Sequence, residues 1–104
     1  MLTLKLPTEH VRHVVQIARE AISNALRHAK ASRVAILLKR WKDGVRLTVE
    51  DNGAGFNPTQ VDHSAHFGLT NMATRAQLIG GALHVLSAAG KGTRIVVDIP
   101  QTAP

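Results

Sequence analysis

The sequence predicts a two-layer α/β sandwich, a mixed but mainly antiparallel sheet with helices covering one face. Three observations predict it. Two segments, near residues 8–29 and 69–79, repeat their apolar residues at three- and four-residue steps, the period of a helix with one buried stripe. Short segments with strand-like patterning come in pairs joined by tight turns. The order is strand, helix, two strands, loop, helix, two strands. It makes two hairpins and leaves two amphipathic helices that need one sheet face to bury their stripes.

Each element follows from its own residues. Leu2, Leu4 and Leu6 alternate with Thr3 and Lys5, a short strand with one buried face. Pro7 stops it, and Thr8 is the expected N-cap of the first helix. Val11, Val14, Val15, Ala18, Ala21, Ile22, Ala25 and Ala29 form the helix stripe, with Gln16, Glu20, Asn24 and Arg27 opposite. Residues 33–41 read as a strand buried through Val34, Ala35, Ile36, Leu37 and Leu38. Lys42-Asp43-Gly44 is a hairpin turn in which Asp-Gly supplies the positive φ angles. Val45, Leu47 and Val49 alternate with Arg46, Thr48 and Glu50 on the return strand. Residues 57–67 lack apolar periodicity and contain Pro58, so they read as a mobile loop. Leu69, Met72, Ala73, Ala76 and Ile79 define the second helix, which Gly80-Gly81 ends. Two more strands, 82–87 and 93–99, flank the turn at Ala89-Gly90-Lys91-Gly92, and residues 101–104 read as a frayed tail.

Composition narrows the function. A chain of 104 residues is one domain, spanning 1–104, and is large enough for a core without staples. Lys plus Arg exceed Asp plus Glu by 13 to 7, a formal +6 that favours an anionic partner. The cations are scattered, and with only Trp41, Phe56 and Phe67 as aromatics there is no stacking platform for single-stranded nucleic acid. Nucleic acid is therefore not an expected partner. The absence of cysteine excludes disulfides, thiol catalysis and cysteine-held metals. The six histidines offer no i, i+4 helix pair and no joined carboxylate cluster, so a transition-metal site is not supported. The longest apolar run, 34–38, is too short to cross a bilayer, and the N-terminus lacks a secretory layout, so a cytoplasmic domain is expected.

The chemistry-bearing residues fall in short motifs. Glu20 and Asn24 share a helix face. Their oxygens suit a hard cation such as Mg²⁺, and Arg27 and His28 one turn on can neutralise phosphate oxygens. Asp51-Asn52-Gly53-Ala54-Gly55-Phe56 closes a strand, where Asp51 can accept from an exocyclic amine and the glycines allow a flat ligand close to the backbone. It is neither a Walker A loop nor a dinucleotide fingerprint. Phe67-Gly68-Leu69-Thr70-Asn71-Met72 opens a helix whose first amides favour an anion. Gly90-Lys91-Gly92-Thr93 is a turn whose Thr93 can help hold a base or its water. Taken singly, each reads more readily as a solvated helix face, a surface turn, a glycine N-cap or a hairpin.

Together, in this order and spacing, they resemble the ATP-binding catalytic domain of sensor histidine kinases, within the Bergerat-fold GHKL superfamily that includes gyrase B, Hsp90 and MutL. Glu20 to Ala29 is similar to the family's N box, Asp51 to Phe56 to its G1 box, Phe67 to Met72 to its G2 box, and Gly90 to Thr93 to its terminal Gly-x-Gly-Thr. The Arg27-His28-Ala29 ending and the short 57–67 loop most resemble the nitrate-sensor-like subfamily.

The resemblance implies ATP and Mg²⁺ as cofactors. Asp51 would bind the adenine amino group, with Thr93 and a water assisting. Gly53, Gly55 and Phe56 would shape the base site. Asn24 would ligate Mg²⁺, and Glu20 would support its water shell or polarise the nucleophile. Arg27 and His28 would contact phosphates, and residues 57–67 would be the ATP lid, hinged at Gly68 beside Leu69. No histidine here is followed by Asp or Glu, as the family's phosphorylated histidine is. That histidine is expected on a helical dimerisation domain preceding this one in a longer kinase, with or without a membrane anchor, that signals to a response regulator. The domain by itself is expected to be a monomer that does not label itself. The rival readings are an anti-sigma-type serine kinase and a non-catalytic interaction module of the same fold.

Overall fold

A computed structural model of the chain describes residues 6–56 and 68–100. Helix α1 (Thr8–Ser23) runs directly into a π-helical turn (Asn24–His28). Strands β1 (Val34–Trp41) and β2 (Gly44–Asp51), helix α2 (Leu69–Leu78), and strands β3 (Ala82–Ser87) and β4 (Thr93–Pro100) follow. Most of the expected first strand and the whole 57–67 loop lie outside the described residues. Leu6 is not in a strand but packs against the core.

The sheet order is β1-β2-β4-β3, and every described pair is antiparallel. The register aligns Leu38, Leu47, Val97 and Leu83 in one cross-strand row and Ile36, Val49, Ile95 and Val85 in the next. Side chains alternate faces along a strand, so both rows share the side covered by helices. Val14, Ile17 and Ala21 from α1 meet Leu69, Met72 and Ala76 from α2 over Leu47, Val49, Ile95, Val97 and Ile99. Ile17 and Met72 are fully buried, and shortening either to alanine costs about 2–5 kcal/mol.

Local expectations are corrected in several places. The residue before α1 is Pro7, in extended backbone, and no side chain caps the helix, so Thr8 is its first residue rather than its N-cap. The buried stripe is Val14, Ile17, Ala21 and Ala25; Val11 and Val15 are 45% and 47% exposed. Apolar residues wrap around more of α1 than the core contacts, and the wider Ile17 takes the centre. Strand β1 is not buried: Ile36, Leu37 and Leu38 are all exposed. It is one of the sheet's two edges among the described strands, and Val34 is its residue packed against the core. An apolar run does not distinguish an edge from a centre. In the first hairpin the positive φ falls on Lys42 (54°), not on Asp43-Gly44. Gly44 already belongs to β2, lying so flat on the Ile99 backbone that a Cβ would overlap its carbonyl. The second hairpin and α2 follow expectation, and Gly80 ends α2 at φ 72°.

Candidate functional site

The antiparallel register that builds the core also builds the site. One further row lies beyond Val49, Ile95 and Val85 on the same face. It runs Val34, Asp51, Thr93, Ser87, because Asp51 pairs with both Val34 and Thr93, and Thr93 pairs with Ser87. The apolar core thus turns polar within two residues at this end of the sheet. A cavity of about 470 Å³, counted out to its open mouth, starts there. Ala21, Val49, Leu69, Ile95 and Phe56 give it apolar walls, while Asn24, His28, Asp51 and Thr93 supply polar groups. Few converging polar groups on a mainly apolar wall are the make-up of a small-molecule site.

The loop after β2 is fixed by backbone and amide hydrogen bonds. Asp51 Oδ1 accepts the Gly53 N–H at 2.8 Å, an Asx turn. Asn52 ties this loop to the one after the π-helical turn. Its Oδ1 accepts the N–H groups of Ser32 and Arg33 at 3.0 and 2.9 Å, and its Nδ2 donates to Ser32 Oγ at 2.8 Å. Gly55 sits at φ 66° against the backbone of Ala88 and Gly92, where a Cβ would run into the Ala88 carbonyl. The Phe56 N–H donates to Ser87 Oγ at 2.9 Å, joining the loop to the β3–β4 turn.

The facing wall is the end of the first helix. The expected regular helix through Ala29 instead widens to i→i+5 bonding at Asn24–His28, with the Ala29 N–H donating to the Asn24 carbonyl at 3.0 Å. The Ala29 carbonyl accepts the Ala54 N–H at 3.0 Å, and a Cβ on Gly53 would collide with Ala29. The wider turn therefore docks directly onto the loop after β2 and holds Asn24 and His28 on the cavity wall. Such π-turns inside α-helices occur often at functional sites.

Asn24, His28, Asp51, Gly55, Phe56, Leu69 and Thr93 all border this one cavity. Gly53 lies behind the wall, against Ala29. Glu20 stands outside, in a shallow depression with Gln16, Arg19 and Ser23. Its carboxylate reaches the start of α2, where a Cβ on Gly68 would lie 2.7 Å from Glu20 Oε2. Gly68 has φ 70° and, as a glycine, offers α2 no N-cap side chain. Arg27 is exposed and does not border the cavity. Sequence reasoning missed Asn52 as a tie between loops, and missed Ser87 altogether.

The comparisons with known proteins agree with this architecture. Residues 9–103 match the family described as histidine kinase-, DNA gyrase B- and HSP90-like ATPase, and the chain belongs to that family. The sensor histidine kinase LiaS of Bacillus subtilis is 47% identical over 88 residues, which is 85% of this chain and 24% of that protein. The nitrate/nitrite sensor protein NarX of Escherichia coli K12 is 41% identical over 97 residues, 92% of this chain and 16% of that protein, in keeping with a nitrate-sensor-like pattern. The chain thus spans a quarter or less of these relatives. Among solved structures, the blue-light activated histidine kinase EL346 of Erythrobacter litoralis superposes with a TM-score of 0.79 at 28% identity, covering 95% of this chain and 33% of that one. The ATP binding domain of PrrB from Mycobacterium tuberculosis gives 0.76 at 29% identity, covering 88% of this chain and 69% of that one. No described helix is long and apolar enough to cross a membrane.

Proposed function

We propose that this chain binds Mg²⁺-ATP and presents the γ-phosphate to a histidine on a helical dimerisation domain, as the catalytic domain of a two-component sensor kinase. The observation that carries this reading is the end row of the sheet. There Asp51, with one oxygen taken by Gly53 and no cation beside it among the described residues, lies within an apolar cavity that opens toward Asn24 and His28.

The residues present suit an adenine nucleotide. The Asp51 carboxylate accepts from an exocyclic amine, and Val49, Ile95, Leu69 and Phe56 offer surface to a flat ring. Among the described residues no three His, Asp or Glu side chains group to hold a metal, so Mg²⁺ would arrive with the phosphates and take the Asn24 amide oxygen as a ligand. When bound, Mg²⁺-ATP supplies the transferable phosphoryl group, whose transfer needs positioning and charge neutralisation more than covalent help. His28 would face the phosphates from the cavity wall. The start of α2, at Gly68 and Leu69, would add amide donors. Glu20, beside that helix start, would order the water around the metal or polarise the incoming imidazole. The partner domain and a response regulator are proposed by analogy with the sensor kinases the chain resembles.

The test is thermal unfolding with and without Mg²⁺-ATP. Ligand at a hundredfold over its dissociation constant adds about 2.7 kcal/mol, which raises the midpoint of a domain this size by roughly 10 °C. A shift in the wild type that is lost in Asp51→Asn supports the reading. No shift at millimolar nucleotide overturns it in favour of a non-catalytic module.

A further inference from the structure

We infer that Ser87 is a positioning residue that sets the direction of the Thr93 hydroxyl, and so makes the deep end of the cavity accept hydrogen bonds only. The inference rests on reading the cavity as a nucleotide site. Ser87 Oγ lies 2.9 Å from the Phe56 amide nitrogen, 2.9 Å from the Gly92 carbonyl oxygen and 2.8 Å from Thr93 Oγ1. A hydroxyl has one proton and two lone pairs. The peptide N–H can only donate and the carbonyl can only accept. Ser87 therefore takes the Phe56 proton on one lone pair and places its own proton on Gly92. With the Ser87 proton on Gly92, what remains for Thr93 is a lone pair, and Thr93 donates in their shared bond.

Thr93 borders the cavity and Ser87 does not. With its proton turned back to Ser87, Thr93 shows the cavity only lone pairs. Its row neighbour Asp51 is a carboxylate and likewise only accepts. Two adjacent acceptors select a ligand edge that carries N–H donors and oppose one that offers a carbonyl. A 6-amino purine offers these acceptors the two hydrogens of its amino group, whereas a 6-oxo purine sets a carbonyl at that position and carries its edge N–H on N1, and unmet polar groups make such a choice steep. Removing the Ser87 hydroxyl frees the Thr93 proton to turn toward the ligand, where it can satisfy a carbonyl.

The experiment is calorimetric titration of ATP and ITP, each with Mg²⁺, into the wild type, Ser87→Ala, Thr93→Val and the double variant. The wild type prefers ATP, and Ser87→Ala lowers the ATP-to-ITP preference by about tenfold, the scale of one lost buried hydrogen-bond choice. In the Thr93→Val background, adding Ser87→Ala changes the preference no further. An unchanged preference in Ser87→Ala overturns the inference and leaves the nucleotide reading standing. An equal drop in the Thr93→Val background overturns it too, because Ser87 would then act by another route. A wild type that binds neither nucleotide overturns both. Should alanine unfold the turn, Ser87→Cys, similar in shape but a weak hydrogen-bonding group, carries the same expectation and the same refutation.

Discussion

Asp51 and Asp98 sit at opposite ends of the same sheet and are held in opposite ways. Asp98 is on the face away from the helices, gripped by Arg46 through Nε at 2.6 Å and Nη2 at 2.9 Å. The Arg46 guanidinium also stacks 3.7 Å over the Trp41 ring. This hydrogen bonding, more than the bare charge, holds the Asp98 carboxyl below the usual carboxylate range. Asp51 is on the helix face, and it accepts the N–H of Gly53 two residues on. The same side chain is a strut where a cation saturates it, and at Asp51, with no cation beside it among the described residues, it is the group we propose reads the ligand. Neither role is visible in the residue type; the partner decides it.

The sharpest way to break this comparison is to neutralise both carboxylates in turn. Asp51→Asn is expected to abolish the nucleotide-dependent rise in unfolding temperature, roughly 10 °C at saturating ligand, while Asp98→Asn keeps it. Equal losses would show that the two ends do not differ in function. Next in size is Gly55→Ala, which places a Cβ on the Ala88 carbonyl at a positive φ. Urea unfolding should show a loss of about 2 kcal/mol or more. Asn52→Ala removes the tie to Ser32 and Arg33 and should cost about 1–2 kcal/mol in the same measurement. A cost near zero would mean that water replaces the tie at this exposed site.

The smallest effect concerns acid. The Asp98 pKa is lowered in the folded state, so its pairing stabilises the fold above the unfolded carboxylate pKa, near 4. That contribution is lost as pH falls through the folded value. Wild type and Asp98→Asn should therefore differ in stability at neutral pH and converge in strong acid. Parallel curves would show that Arg46 gives Asp98 nothing in solution.

Much of the fold was legible because period and turn chemistry are local. The second hairpin needs only Gly90-Lys91-Gly92 between two alternating segments, and α2 needs only its stripe and its stop. What depends on the sheet's order was not legible. The five apolar residues from Val34 to Leu38 look central in sequence, yet β1 lies at an edge. The site divides the same way. Asn24, Asp51 and Thr93 stand out because amide, carboxylate and glycine-turn motifs mark them, and the structure brings them around one cavity. Ser87 carries no such mark. A serine at a strand end is ordinary, and only the cross-strand register reveals that it faces Thr93 and Phe56. Arg27, which its spacing puts opposite the stripe, is exposed as expected but does not border the cavity.

The change of helical pitch after α1 has a consequence for descent. Bonding from i to i+5 is what a helix shows when it has absorbed one residue more than its regular repeat can seat. Asn24–His28 is such a stretch, and Leu26 within it points into solvent, 58% exposed. Loss of a single codon there would let the helix close into ordinary turns, carrying His28 around the axis and away from the wall. Chain length between Glu20 and Ala29, rather than residue identity alone, would then sort kin that keep this wall from kin that do not.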